Sequence, residues 1–208
     1  MFAVAADKCL VTEYNTSVQP HKEYYCREKF AGLVIDRQNI CAVTFDECEF
    51  TSCSFTGSII ERGRFLDCKF NDCNLSSCVH LDSVLIRPQF RGCKIIGVDW
   101  TLAQKLEQPG FYECRLNYSN FKFLQLSGAA ITRSEVKEAY FVETNLTGCD
   151  CTYSDFEKSL FFKVDLTGAD FRNARNYSID VMNNIVRKTR FSLPEAVSLL
   201  RSLDIILE

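Results

Sequence analysis

Cys48-Glu49-Phe50-Thr51-Ser52-Cys53-Ser54-Phe55-Thr56-Gly57-Ser58-Ile59-Ile60-Glu61-Arg62-Gly63-Arg64-Phe65-Leu66-Asp67-Cys68-Lys69-Phe70 carries a large apolar residue at every fifth position, with a small residue two places before each. Residues five apart on an α-helix point about 140° away from each other, and odd spacing on a flat strand alternates faces. The chain must therefore turn a corner every five residues. If each unit forms one side of a square, the large residue and its small companion point inward and the other three face solvent. Four units close a coil of twenty residues. Stacked coils are then joined by parallel backbone hydrogen bonds at about 4.8 Å spacing, and each coil buries its large residues against its neighbours.

The register extends from this stretch in both directions. It runs from Phe30 to Trp100, and a second register runs from Phe111 to Phe171, for 28 units or seven coils of four. Composition agrees: 47% of the 208 residues are hydrophobic, with 17 Phe but only 4 Pro and 9 Gly, enough for a continuous core. Met1 to Ala6 is too short an apolar run for a signal peptide, and no stretch reaches the length of a membrane span, so a cytoplasmic protein without membrane contact is expected.

Eight of the twelve cysteines (Cys48, Cys53, Cys68, Cys73, Cys78, Cys93, Cys114, Cys149) take the small inward place, and Cys151 takes a large one. Reduced cysteine suits that slot as Ala or Ser would. Stacked disulfides are geometrically conceivable, but no secretion signal accompanies them. A zinc site would want paired C-x-x-C elements, which the chain lacks.

Ala169-Asp170-Phe171-Arg172-Asn173, Ser154-Asp155-Phe156 and Thr144-Asn145-Leu146 carry a small residue, Asp or Asn, and a large apolar residue in order. In these units the sequence resembles the pentapeptide-repeat family over about two thirds of its length. The resemblance implies an all-β fold, a right-handed quadrilateral parallel β-helix, in agreement with the spacing. The expected organisation is an N-terminal cap at 1–29, coils at 30–100, a register break or projecting loop at 101–110, coils at 111–176 and a C-terminal capping and dimerisation segment at 177–208.

At the C-terminal end Ser192-Leu193-Pro194-Glu195 reads as a capping box. Leu193, Ala196, Val197, Leu200 and Leu203 follow at helical spacing, and Asp204-Ile205-Ile206-Leu207 reads as a brief strand. Leu193, Val197, Leu200, Leu203 and Ile205 are candidates for a homodimer interface, with capping of the last coil as the plainer alternative. This tail resembles that of the topoisomerase-protecting subgroup, the Qnr-type quinolone-resistance and microcin-immunity proteins. What that implies is a non-enzymatic, dimeric DNA mimic that binds DNA gyrase or topoisomerase IV and shields it from a quinolone or peptide poison, without binding nucleic acid itself. The alternative is a general protein-interaction scaffold.

Residues 30 to 171 hold 19 acidic and 14 basic side chains, a net charge of −5, and residues 172 to 208 carry +2. A mildly acidic rod is drawn to a basic DNA-binding groove. Glu113, Glu135 and the pre-apolar Asp99, Asp150, Asp155, Asp165 and Asp170 are its candidate partner-binding residues. Asp in that place also has a local use, since Asn74, Asn120 and Asn145 occur there and both side chains bond a turning backbone.

Trp100 to Phe111 spans eleven residues where ten would keep phase, through Thr101-Leu102-Ala103-Gln104-Lys105-Leu106-Glu107-Gln108-Pro109-Gly110. Gln104, Lys105 and Glu107 are candidates for contacts on a projecting loop, against the alternative of a one-residue bulge. The chain has two histidines. His21 falls in the N-terminal segment, and His80 takes a large inward place as a satisfied or partly exposed core residue. With no phosphate loop, nucleophile elbow or carboxylate pair beside them, neither an enzymatic activity nor a cofactor is expected.

Overall fold

The computed structural model describes residues 23–203 and residue 205, and they form a parallel β-helix of about seven coils. Each side of the square is a column of short strands. The first column stacks Tyr24–Cys26, Thr44–Asp46, Arg64–Leu66, Val84–Ile86 and Lys105–Glu107 in parallel register, pairing Tyr25 with Phe45 and Phe45 with Phe65. The second runs from Lys29–Ala31 through Glu49–Thr51, Lys69–Asn71, Gln89–Arg91 and Gly110–Tyr112 to Ala130–Thr132. A third face is linked by single bridges, from Val34–Ser54 to Asp155–Arg175. The fourth contains Asn39–Cys41, Ile59–Glu61, Val79–Leu81 and, higher up, Tyr140–Val142 with Leu160–Phe162.

The large residues pack as aromatic columns. Phe50 and Phe70 stack at 4.8 Å between ring centroids, and Phe90 and Phe111 at 5.2 Å. The small inward residues do more than leave room. Ser83 Oγ accepts from Gly63 N at 3.1 Å in the coil below and donates to Ile60 O at 2.8 Å. Cys73 Sγ does the same with Cys53 N and Phe50 O, and Asn184 with Val164 N and Phe161 O. A short side chain with one donor and one acceptor therefore joins consecutive coils inside the rod, which explains why Ser, Thr and Cys fill so many of these places. Burial pushes the Cys68, Cys78 and Cys149 thiols up to about 12, so they remain protonated, and Cys68 and Cys149 donate to Phe45 O and Leu126 O. All described cysteines are free.

Several expectations need correction. The coils begin before residue 30: Tyr25 is buried in the first column, because it meets the same spacing and ring-stacking requirement as Phe45 above it. The rest of the expected N-terminal cap, with His21, lies outside the described residues. The coils also pass residue 176, since Asp165 bridges Ile185 and Asp170 bridges Arg190. Asn176 is turned out and Tyr177 fills the interior instead.

Residues 101–110 do not project as a loop. Trp100–Leu102 is a 3-10 turn, Leu106 is buried in the first column opposite Leu85, and Gly110 opens the next strand. The single extra residue is absorbed between Trp100 and Leu106, so Phe90 pairs with Phe111 at a spacing of twenty-one. Leu106 stands five before Phe111 and was the signal for this in the sequence.

The C-terminal helix is present as a 3-10 helix, Glu195–Leu203. Its expected capping box is not formed. Ser192 Oγ accepts from Asn173 N at 2.8 Å and Glu195 Oε1 from Asn176 N at 2.6 Å, so both side chains cap the open edge of the last coil, whose amides have no further coil to bond. The brief terminal strand falls largely outside the described residues; Ile205 is described and is not in a strand.

His80 is neither satisfied nor partly exposed. It is 1% exposed, stacked on Trp100 at 4.9 Å, and neither ring nitrogen has a hydrogen-bond partner. The column offers ring faces where an imidazole needs polar partners, and burial lowers its pKa to about 4.

Candidate functional site

The surface of the rod is the only place left for specific contacts, since two of every five residues are committed inward. The acidic candidates are spread over all four faces. Asp150 and Asp170 lie on the second, Glu135 and Asp155 on the third, Asp165 on the first and Asp99 on the fourth. Glu113 sits at a corner with φ +57°. No single face gathers them.

Each of the five aspartates bonds the backbone two residues on. Asp99 accepts from Thr101 N, Asp150 from Thr152 N, Asp155 from Glu157 N, Asp165 from Thr167 N and Asp170 from Arg172 N, at 2.9 to 3.2 Å. Asn74, Asn120 and Asn145 make the same bond. The local role therefore accounts for the residue type in this place. Cations also neutralise several of the acids. Arg172 and Arg190 lie 2.6 and 3.7 Å from Asp170, and the Arg172 hydrogen bond holds its carboxyl below the usual range. Burial would raise the Asp155 carboxyl, but Asn176, Lys137 and Arg175 together hold it low. Glu135 has Arg115 at 3.9 Å, and similar pairs one coil apart join Arg27 to Glu47 and Arg87 to Asp67. Asp150 and Asp165 have no ion-pair partner among the described residues.

The candidates near the register break are brought together. Gln104 is exposed, Lys105 and Glu107 pair with each other, and all three border a groove of about 540 Å³ lined also by Ala103, Leu106, Phe123, Leu124 and Gln125. At the C-terminal end Leu193 is 79% exposed, Val197, Leu203 and Ile205 are exposed, and Leu200 is half-buried.

Sequence reasoning missed an apolar stripe on the fourth face. Ile59, Leu81, Leu102, Tyr140, Leu160 and Phe162 are all exposed there. The signal was available in triplets such as Tyr140-Phe141-Val142 and Leu160-Phe161-Phe162, where the residues flanking the inward one are apolar as well. Among the described residues no group of His, Cys, Asp and Glu could hold a metal ion, and no helix is long and apolar enough to cross a membrane.

Two family models match this chain, a pentapeptide repeat region over residues 43–121 and pentapeptide repeats over residues 139–175. The chain belongs to the pentapeptide-repeat family. Comparison with curated proteins returns no match. Among solved structures, a trypsin-treated form of QnrB1, a plasmid-mediated fluoroquinolone resistance protein, is 20% identical with a TM-score of 0.67, covering 88% of this chain and 99% of that one. A second trypsin-treated QnrB1 form is 18% identical with a TM-score of 0.60 over 89% and 100% of the two chains. HetL from Nostoc sp. strain PCC 7120, a pentapeptide-repeat protein involved in heterocyst differentiation regulation, is 10% identical with a TM-score of 0.55 over 82% and 90%. These likenesses establish the family's fold over 82 to 89% of the chain.

Proposed function

We propose that the protein is a non-enzymatic binding protein that docks on a type II DNA topoisomerase, gyrase or topoisomerase IV, and protects it from a quinolone or peptide poison. The observation that carries this reading is the likeness to QnrB1 over nearly the whole of both chains. It is supported by a C-terminal segment, the helix and the turn before it, that leaves Leu193, Val197 and Leu203 in solvent, a surface suited to a twofold homodimer. The topoisomerase works on DNA in the cytoplasm, and the protein acts there. Resemblance to DNA through charge contributes little, because several outer acids are paired with cations one coil away. Shape, the unpaired Asp150 and Asp165, and apolar contact do the larger share.

A supercoiling assay tests this. Purified gyrase on relaxed plasmid, inhibited by a quinolone or by a peptide poison, is titrated with the protein. Supercoiling returns at protein concentrations below those that inhibit gyrase alone. The absence of both protection and, at excess protein, inhibition of gyrase would sink the reading. A second reading, a scaffold for another protein, draws on the apolar stripe of the fourth face, and native pull-down with gyrase as competitor separates the two.

A further inference from the structure

We propose that the groove between residues 103–108 and residues 123–127 is a docking slot for an extended peptide segment of a partner protein. It is set apart by a parted ladder that borders an open groove. Everywhere below it in the first column, strand pairs with strand, and above it Gln125 bridges Asn145 and Asn145 bridges Asp165. Between Lys105–Glu107 and Gln125 no pairing or bridge is made. The adjoining faces at the same level are closed, by Asp99 with Asn120 on one side and Gly110 with Ala130 on the other. The fourth face also lacks a bridge between Val79–Leu81 and Asp99, but there Trp100 stacks on His80 and Asp82 N still donates to Leu102 O, whereas between Lys105–Glu107 and Gln125 the parted strands border a groove.

The cause is readable residue by residue. The extra residue of the register break turns Gln104 out of the small inward place, leaving Ala103 half-buried nearby, and the next coil carries Leu124 where its neighbours above carry Thr144 and Val164. Opening the ladder leaves the N–H groups of Leu106 and Gln108 along the lower edge, and those of Gln125 and Ser127 along the upper, without backbone acceptors among the described residues. The amides on the opposite edge of the same upper segment are bonded: Leu126 N donates to Asn145 O and Gly128 N to Thr147 O, both at 2.9 Å.

The lining says what fits. Ala103, Leu106, Phe123 and Leu124 supply apolar surface, Phe123 being 63% exposed, while Gln104, Gln108, Gln125 and Ser127 supply neutral polar groups. The charged pair Lys105 and Glu107 satisfies itself. An apolar occupant would bury the unpaired main-chain groups without partners, which is unfavourable, and the lining offers no net charge to hold an ion. A polypeptide laid along the mouth brings both parts, alternating C=O and N–H for the edges and an apolar side chain for the floor. About 540 Å³ admits such a side chain. The proposal stands independently of the topoisomerase.

The test compares the full chain with two variants. Deleting Gln104 and replacing Leu124→Ala restores the twenty-residue spacing and the small inward residue, and closes the ladder. Phe123→Ser alters only an exposed wall. Hydrogen exchange at Leu106, Gln108, Gln125 and Ser127 is fast in the wild type and roughly tenfold or more slower in the closed variant. A phage-displayed random peptide library panned on the wild type yields binders whose affinity falls about tenfold or more on both variants. Slow exchange at those four amides in the wild type, no enriched peptide, or peptides that bind Phe123→Ser and wild type alike would each overturn the proposal. If the closed variant fails to fold, Phe123→Ser decides.

Discussion

At His80 the column of rings meets a residue that belongs to a different chemistry. Both imidazole nitrogens are buried without partners, and its pKa is lowered to about 4, against 6.5 for the free side chain. The unfolded chain therefore binds a proton that the folded one refuses between those values, so stability is fully present above about pH 6.5 and falls as the pH drops toward 4. His80→Ile, copying Ile60 beneath it, is expected to raise the melting temperature and flatten the pH dependence in that window by a few kcal/mol, on the order of the linkage; thermal melts from pH 4 to 8 check both. At the same scale Cys73→Ser keeps a donor and an acceptor between coils and leaves stability nearly unchanged. Cys73→Val removes both and costs on the order of 1 kcal/mol by denaturant titration. The place of His80 in the core was readable from spacing; its lack of partners was not, because which groups face it depends on all four columns at once.

Short strands and turns show where local signals were sufficient. The inward places of Phe50 or Leu116 follow from period five alone, and the aspartate turns follow from Asp and Asn sharing one place. The capping box misled because Ser192 and Glu195 met a stronger demand, the open edge of the last coil. Removing that bond tests it: Glu195→Ala is expected to loosen the coil containing Asn176 by about 1 kcal/mol, seen as faster hydrogen exchange there with the lower coils unaffected. The groove was hidden for a different reason. A broken pattern shows that a residue is extra, but whether the chain loops out or parts from its neighbour depends on how Leu106 and Leu124 pack.

Across the whole molecule, interactions run between neighbouring coils, so stability is a sum of intrinsic and interface terms along one axis. Cross-coil ion pairs such as Arg87 with Asp67 are exposed, and raising salt is expected to change stability little. The proposed association belongs to the C-terminal end. Leu200→Asp is expected to convert a dimer to a monomer by light scattering with the circular dichroism spectrum unchanged, and a wild-type mass equal to one chain would refute the interface.

Trp100 is the only tryptophan, wholly buried between His80 at 4.9 Å and Phe121 at 6.4 Å, and its residue begins the turn that introduces the extra residue. The protein thus contains its own optical gauge at mid-length. Its emission is expected to be that of a dry aromatic stack, to shift to the red when water enters that coil, and to be quenched when the imidazole beside it takes up a proton. One fluorescence trace can therefore follow acid titration and unfolding at the level where the ladder parts, without a label attached to the surface.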